Sequence, residues 1–203
     1  MARRTKSEAE STRQVLLDSA ETLFYEKGVS RTSLEHIAKH AGMTRGAVYW
    51  HFENKNALFN ALLDRVKMPL KQLIEDLEES EHSGHPLIDL ERAINLAFER
   101  ITQPRYMRTY TILLFRCEHT KDIDPLKNHN AMVHESYEHM VKLLTQAQRD
   151  NLIKESIDPA CASRLIHVSL QGLVNDWLRD TSVFDIKVEG RHMIRLLLSM
   201  LKA

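Results

Sequence analysis

Between Thr44 and Phe52 the chain reads Thr-Arg-Gly-Ala-Val-Tyr-Trp-His-Phe. If the segment is a short helix, Val48 and Phe52, four apart, give it one apolar stripe. The other large groups, Arg45, Tyr49, Trp50 and His51, donate hydrogen bonds or lie flat against a sugar or a base edge. An arginine reads guanine O6 and N7 with two hydrogen bonds, and an aromatic edge packs on a thymine methyl. Gly46 lets the helix start approach DNA closely. Lys55 puts a cation at the start of the next helix, where backbone N–H groups already favour an anion. Tyr49 and Trp50 also fit a plain packing role, and on these residues alone both readings stand.

Metal and catalytic chemistry find less support. His134 and His139 are five apart, about 140° round a helix, whereas a zinc helix needs a spacing of four. His36 and His40 have that spacing but no third ligand near them in sequence. No nucleophile elbow, phosphate loop or paired-cysteine motif occurs. No metal and no cofactor is expected, and a metal-dependent all-α enzyme is the weakest alternative.

The side chains of 44–52 need an element that holds them outward. Thr32-Ser-Leu-Glu35 has the spacing of a capping box and predicts a helix from about 33 to 40 that ends at Ala41-Gly42. Thr44 then caps a second short helix over 45–51. Two helices across a Gly-containing turn form a helix-turn-helix, whose second helix enters the major groove. Upstream, a helix over 12–27 carries Leu16, Ala20, Leu23 and Phe24 on one face and stops at Gly28. Downstream, Asn54 caps a long helix whose buried stripe runs from Phe59 to Leu77. Pro69 lies inside it and predicts a kink. Pro86, Pro104, Pro125 and Pro159 each precede an apolar-periodic segment and mark helices of about 87–102, 104–117, 125–151 and 159–180, followed by one near 187–202. The expected fold is all-α with about nine helices, a helix-turn-helix domain over 1–53 and a larger helical domain over 54–203.

Composition agrees. With 203 residues, 43% hydrophobic and 28% charged, the chain is an ordinary packed protein rather than a disordered or disulfide-stapled one. Six glycines and 6% aromatics leave little material for sheets. No apolar run exceeds four residues, and the N-terminus lacks a signal-peptide segment, so a cytoplasmic location at the nucleoid is expected. Cys117 and Cys161 are expected as free thiols. The balance of 28 Lys and Arg against 28 Asp and Glu hides a local bias: residues 1–52 carry eight bases and six acids, net +2. Arg3, Arg4 and Lys6 make a basic tail that either follows a groove or frays.

Residues 10–60 resemble the DNA-binding domain of the TetR family, on Gly28, Thr32, Ile37-Ala38, Ala41-Gly42-Met43-Thr44, Gly46, Tyr49-Trp50-His51-Phe52, Lys55 and Leu58. MARRTK at the start and TRGAVYWHF over 44–52 resemble more narrowly the AcrR group, repressors of multidrug efflux pump genes. The resemblance implies that Arg45 and Tyr49 face bases and that Thr32, Thr44, His51 and Lys55 hold phosphates. Ser33 and Gly46 belong to the same surface. Trp50 either contacts the DNA backbone or packs internally.

The resemblance further implies a homodimer on double-stranded DNA with a palindromic operator, released when a small hydrophobic or aromatic ligand binds the larger domain. The last two helices would form the dimer seam, with Leu165, Val168, Trp177, Met193, Ile194, Leu197, Leu198 and Leu201. Val66, Lys67, Leu70, Ala93, Ala97, Phe98, Tyr110, Leu113, Leu114, Cys117, Tyr137, Leu170, Gln171 and Val174 would line the ligand site. A shift of the long helix at Pro69 would couple ligand to DNA. A family member that senses an acyl chain in lipid metabolism is the main alternative.

Overall fold

The structure, a computed structural model, describes residues 6–77, 83–118 and 125–203, without the side chains of 125–129, 131 and 132. Arg3 and Arg4 of the basic tail lie outside the described residues. The described chain forms ten α-helices: α1 Lys6–Lys27, α2 Leu34–His40, α3 Arg45–His51, α4 Lys55–Asp64, α5 Leu70–Glu75, α6 Pro86–Ile101, α7 Pro104–Thr111, α8 Pro125–Arg149, α9 Pro159–Arg179 and α10 Ile186–Leu201. A π-helical turn, Ile112–Arg116, continues α7. No strand occurs among the described residues, and none of their helices is long and apolar enough to cross a membrane.

Two boundaries differ from the sequence expectation. α1 begins at Lys6 rather than near Thr12, because its first turns are polar and held locally, by Glu10 accepting from Gln14 at 2.7 Å and lying 3.9 Å from Arg13. Apolar periodicity cannot register such turns. The expected long helix is two: α4 stops at Asp64, and Pro69 (φ −60°, ψ 139°) is the N-cap of α5. Proline pushes the residue before it out of the helical region, and at a helix entrance its missing N–H costs nothing. The Leu70 N–H finds Ser136 Oγ instead, at 3.2 Å. Neither helix has an interior proline.

The described residues of Met1–Lys67 and Arg105–His129 form one compact unit, and those of Met68–Pro104 and Asn130–Ala203 a second. Packing therefore does not divide the chain at 53/54. The reason lies in the first unit's core, where Leu16, Leu17, Ala20 and Phe24 of α1 meet Ile37 of α2, Val48 of α3, Leu58, Phe59 and Leu62 of α4, and Ile112 of the π-turn. Phe24 and Phe59 pack edge-on at 6.1 Å. In the second unit α6 packs on α5 and α10. Gly190 of α10 admits the Phe98 ring, which would stand 2.4 Å from any added Cβ. Asp158 caps α9 ahead of Pro159 at its first turn, and Asp185 caps α10.

Candidate nucleic-acid interface

The helix-turn-helix is built from local closures. Ser33, not Thr32, caps α2: its Oγ accepts from His36 N–H at 3.1 Å, and His36 Nδ1 accepts from Ser33 N–H at 3.4 Å. His36 thus completes the cap of α2. Thr32 is 1% exposed and its hydroxyl donates inward to the Gly28 carbonyl at 2.9 Å. This corrects the expectation that Thr32 reaches phosphate, since its one proton is spent on the fold. Gly42 (φ +67°) closes α2 by donating to Lys39 O at 3.1 Å, while Met43 N–H donates to Ala38 O at 2.8 Å. The pair is a Schellman motif, which needs the left-handed residue glycine supplies.

Thr44 Oγ1 then caps α3, accepting from Ala47 N–H at 3.3 Å. Val48 and Phe52 are buried, so the helix turns its remaining groups outward. The Arg45 side chain is 71% exposed, Trp50 72% and Tyr49 43%. Internal packing is thereby removed for Trp50, whose ring stands perpendicular to the neighbouring His51 ring with 4.5 Å between centroids. An added Cβ at Gly46 would find Thr44 Oγ1 at 4.0 Å and nothing nearer. No group of the fold claims that space.

Glu35, on α2, was not among the sequence candidates. Its Oε1 accepts from the Tyr49 hydroxyl at 3.3 Å and forms an ion pair with Arg45, 3.2 Å from Nε, while the Arg45 guanidinium stands 5.4 Å from the Tyr49 ring centre. Its own backbone N–H foremost, then the Ser33 hydroxyl, Arg45 and Tyr49, hold the Glu35 carboxyl below the usual range. Lys55 donates to the Val29 carbonyl at 2.9 Å, which parks its ammonium at the start of α4 with further protons to give. An open groove beside it is lined by Ser30, Arg31, Ser33, Tyr49, Asn54 and Lys55 among others. Arg31 also escaped the sequence reading, because an isolated loop arginine carries no periodic signal.

The expected ligand-facing residues fall in both units. In the first, Val66 and Leu113 are buried, Leu114 and Tyr110 half-buried, and Cys117 packs against the core of the helix-turn-helix. Burial pushes the Tyr110 phenol up to about 12 and the Cys117 thiol to about 11, so both are neutral hydrogen-bonding groups. In the second, Leu70, Ala93 and Phe98 are buried, and Ala97, Tyr137, Leu170 and Val174 half-buried. The Tyr137 hydroxyl donates to Ala160 O at 3.3 Å beneath the Arg164 guanidinium. Lys67 and Gln171 are corrections: both are exposed, and Lys67 pairs with Asp64. A recess of about 230 Å³ in this unit, lined by Pro69, Leu70, Ser136, His139 and neighbouring charged groups, shares only Leu70 with the expected lining.

The dimer expectation also divides. Trp177, Ile194, Leu198 and Leu201 are buried within the protomer and Met193 and Leu197 half-buried, because this stripe faces the chain's own core. Leu165 and Val168 on α9 are exposed, and so are Val188, Leu196 and Met200 on α10, which the sequence reading passed over.

The family model "Bacterial regulatory proteins, tetR family" matches residues 16–62, and "MAATS-type transcriptional repressor, C-terminal region" matches 85–203. The chain is 34% identical to the HTH-type transcriptional regulator AcrR of Shigella flexneri over 203 residues, 98% of this chain and 94% of the relative. It is similar in structure to NalD, the secondary repressor of the MexAB-OprM multidrug efflux pump in Pseudomonas aeruginosa. That match has a TM-score of 0.86 and 40% identity, over 97% of this chain and 98% of the other. The SmeT–triclosan complex matches with a TM-score of 0.81 and 30% identity, over 95% and 92%. Two capped short helices over a Schellman turn, and matches that run on through α10, have one source: the chain belongs to the TetR family of bacterial regulatory proteins, with the C-terminal region of a MAATS-type repressor.

Proposed function

We propose that the protein is a homodimeric transcriptional repressor that binds a palindromic operator of a multidrug efflux operon through α3. It leaves that operator when a small hydrophobic or aromatic molecule binds the larger, C-terminal region. The observation that carries the DNA reading is the outward set on α3. Arg45, Tyr49 and Trp50 stand exposed over a buried Val48 and Phe52, with Gly46 leaving open space beside them. Arg45 and Tyr49 read bases; Thr44, Ser33, His51, Trp50 and Lys55 contact the sugar-phosphate backbone. The reader occupies 1–53, and the remainder senses ligand and dimerises in the cytoplasm, where the operator is.

Two half-sites a helical turn apart require a two-fold dimer. Leu165, Val168, Val188, Leu196 and Met200, apolar side chains standing in water, supply a face for it. The efflux and ligand readings are supported by similarity to NalD, a repressor of an efflux pump, and to SmeT, which forms a complex with triclosan. Release requires only that ligand favour the state that does not bind DNA.

Footprinting on the DNA flanking the protein's own gene tests this. A protected palindrome, lost on adding triclosan or another aromatic antimicrobial, is the expected result. No protected site there, or in fragments selected from the whole genome, contradicts it.

A further inference from the structure

A carboxylate opposes phosphate, yet Glu35 stands exposed on the surface assigned to DNA. A glutamate in the first turn of a helix is favourable wherever it points. What distinguishes this one is its reach across to α3. One oxygen, Oε1, is ion-paired with Arg45, 3.2 Å from Nε, and accepts the Tyr49 O–H at 3.3 Å, drawing the two proposed base readers onto a single point. An exposed ion pair of this kind adds little to folding, and α2 already has a complete cap in Ser33 and His36. The contact therefore bears on binding more than on stability.

We propose that Glu35 is a positioning and specificity-determining residue for DNA recognition: it holds Arg45 and Tyr49 as a preset pair and weakens binding to duplexes that offer only phosphates. The inference rests on the reading of α3 as the base-contacting helix. To serve a phosphate, Arg45 must either leave Glu35 or bring the phosphate against the carboxylate, and both are unfavourable. A guanine offers O6 and N7, two acceptors in the plane of the guanidinium, and these replace the Glu35 contact with a bidentate one. Tyr49 is released in the same event and turns its ring edge to the base. Non-specific affinity is almost wholly the phosphate contribution, so a fixed anion subtracts from it in greater proportion than from operator binding.

The test uses the full-length protein, E35Q and E35D, with fluorescence anisotropy on two probes: a duplex enriched by the wild type from a random library, and the same duplex shuffled. Glutamine keeps an acceptor oxygen for Tyr49 but carries no charge to pair with Arg45. E35Q is expected to bind the shuffled duplex about 10-fold more tightly, to lose a similar factor in the ratio of selected to shuffled affinity, and to steepen the salt slope on shuffled DNA by about one per protomer. E35D, which retains the charge, keeps shuffled affinity at the wild-type level. The Glu35 role is overturned if E35Q leaves the affinity ratio within about two-fold of wild type, or if E35D raises shuffled binding as far as E35Q does. If the wild type enriches no duplex at all, the DNA-reading function falls and this inference with it. Normal enrichment with an unmoved E35Q ratio overturns the Glu35 role alone.

Discussion

The Val29 amide donates to the Arg116 carbonyl at 2.9 Å, joining the loop before α2 to the end of the π-turn across 87 positions of sequence. The Val29 carbonyl in turn accepts from Lys55, so one residue ties the segment after α7, the loop after α1 and the start of α4. Gly28 beside it has φ +86°, and a Cβ there would stand 3.5 Å from the same Arg116 oxygen. Gly28→Ala is expected to cost about 1 to 2 kcal/mol from the left-handed backbone alone. Chemical denaturation measures it, and an unchanged midpoint would show that the loop tolerates another conformation.

Gly46 separates folding from function. Nothing in the fold occupies the space an added methyl would take, and its φ is not in the left-handed region, so Gly46→Ala should stabilise α3 by about 0.5 kcal/mol. If that face meets the DNA backbone closely, the same change lowers operator affinity at unchanged or improved thermal stability. Equal affinity would remove Gly46 from the interface.

The two faces of α10 give opposite phenotypes. Leu196→Glu places a charge on the exposed face and is expected to yield folded monomers in sedimentation, with little loss of protomer stability. Ile194→Ala, at a fully buried position, is expected to lose about 2 to 5 kcal/mol of stability without selectively dissociating the dimer. A dimer that survives Leu196→Glu together with Val168→Glu contradicts the assigned face.

Glu21 makes stability pH-dependent. It lies 3.8 Å from Arg108, nearly buried, and burial raises its pKa above the usual glutamate range against the pull of Arg108, Arg65 and Arg105. A carboxyl whose native pKa is raised binds its proton more tightly folded than unfolded. Its contribution is therefore greatest at acid pH and is lost as pH rises from the ordinary range through the raised value. Melting curves of wild type and Glu21→Gln from about pH 4 to 7 should show the wild type losing ground to the variant as pH rises. The opposite drift would mean that the arginines outweigh burial.

Much of this was legible in the chain itself. Pro86, Pro104 and Pro159 each open a helix where the missing N–H is harmless, and Gly28 and Gly42 close two others. What escaped depends on contacts between elements. Thr32 and Ser33 are both competent caps, and only the burial of Thr32 against the Gly28 carbonyl decides between them. Val66, Leu70 and Leu73 keep helical spacing across the break at 65–69, so periodicity runs through an interruption that Pro69 imposes. α10 carries apolar residues on two sides, and their identity does not say which side meets a partner. Glu35 meets Arg45 only because α2 and α3 cross at the Schellman turn.

In the proposed function, α3 reads DNA through Arg45 and Tyr49. The most direct measurement is the affinity of wild type, Arg45→Ala, Tyr49→Ala and the double variant for the protected operator and for a shuffled duplex, with folding checked by thermal melting. Each substitution is expected to cost about 1 to 3 kcal/mol on the operator and much less on the shuffled sequence. A folded double variant that holds the operator as tightly as the wild type would show that these two side chains do not read it.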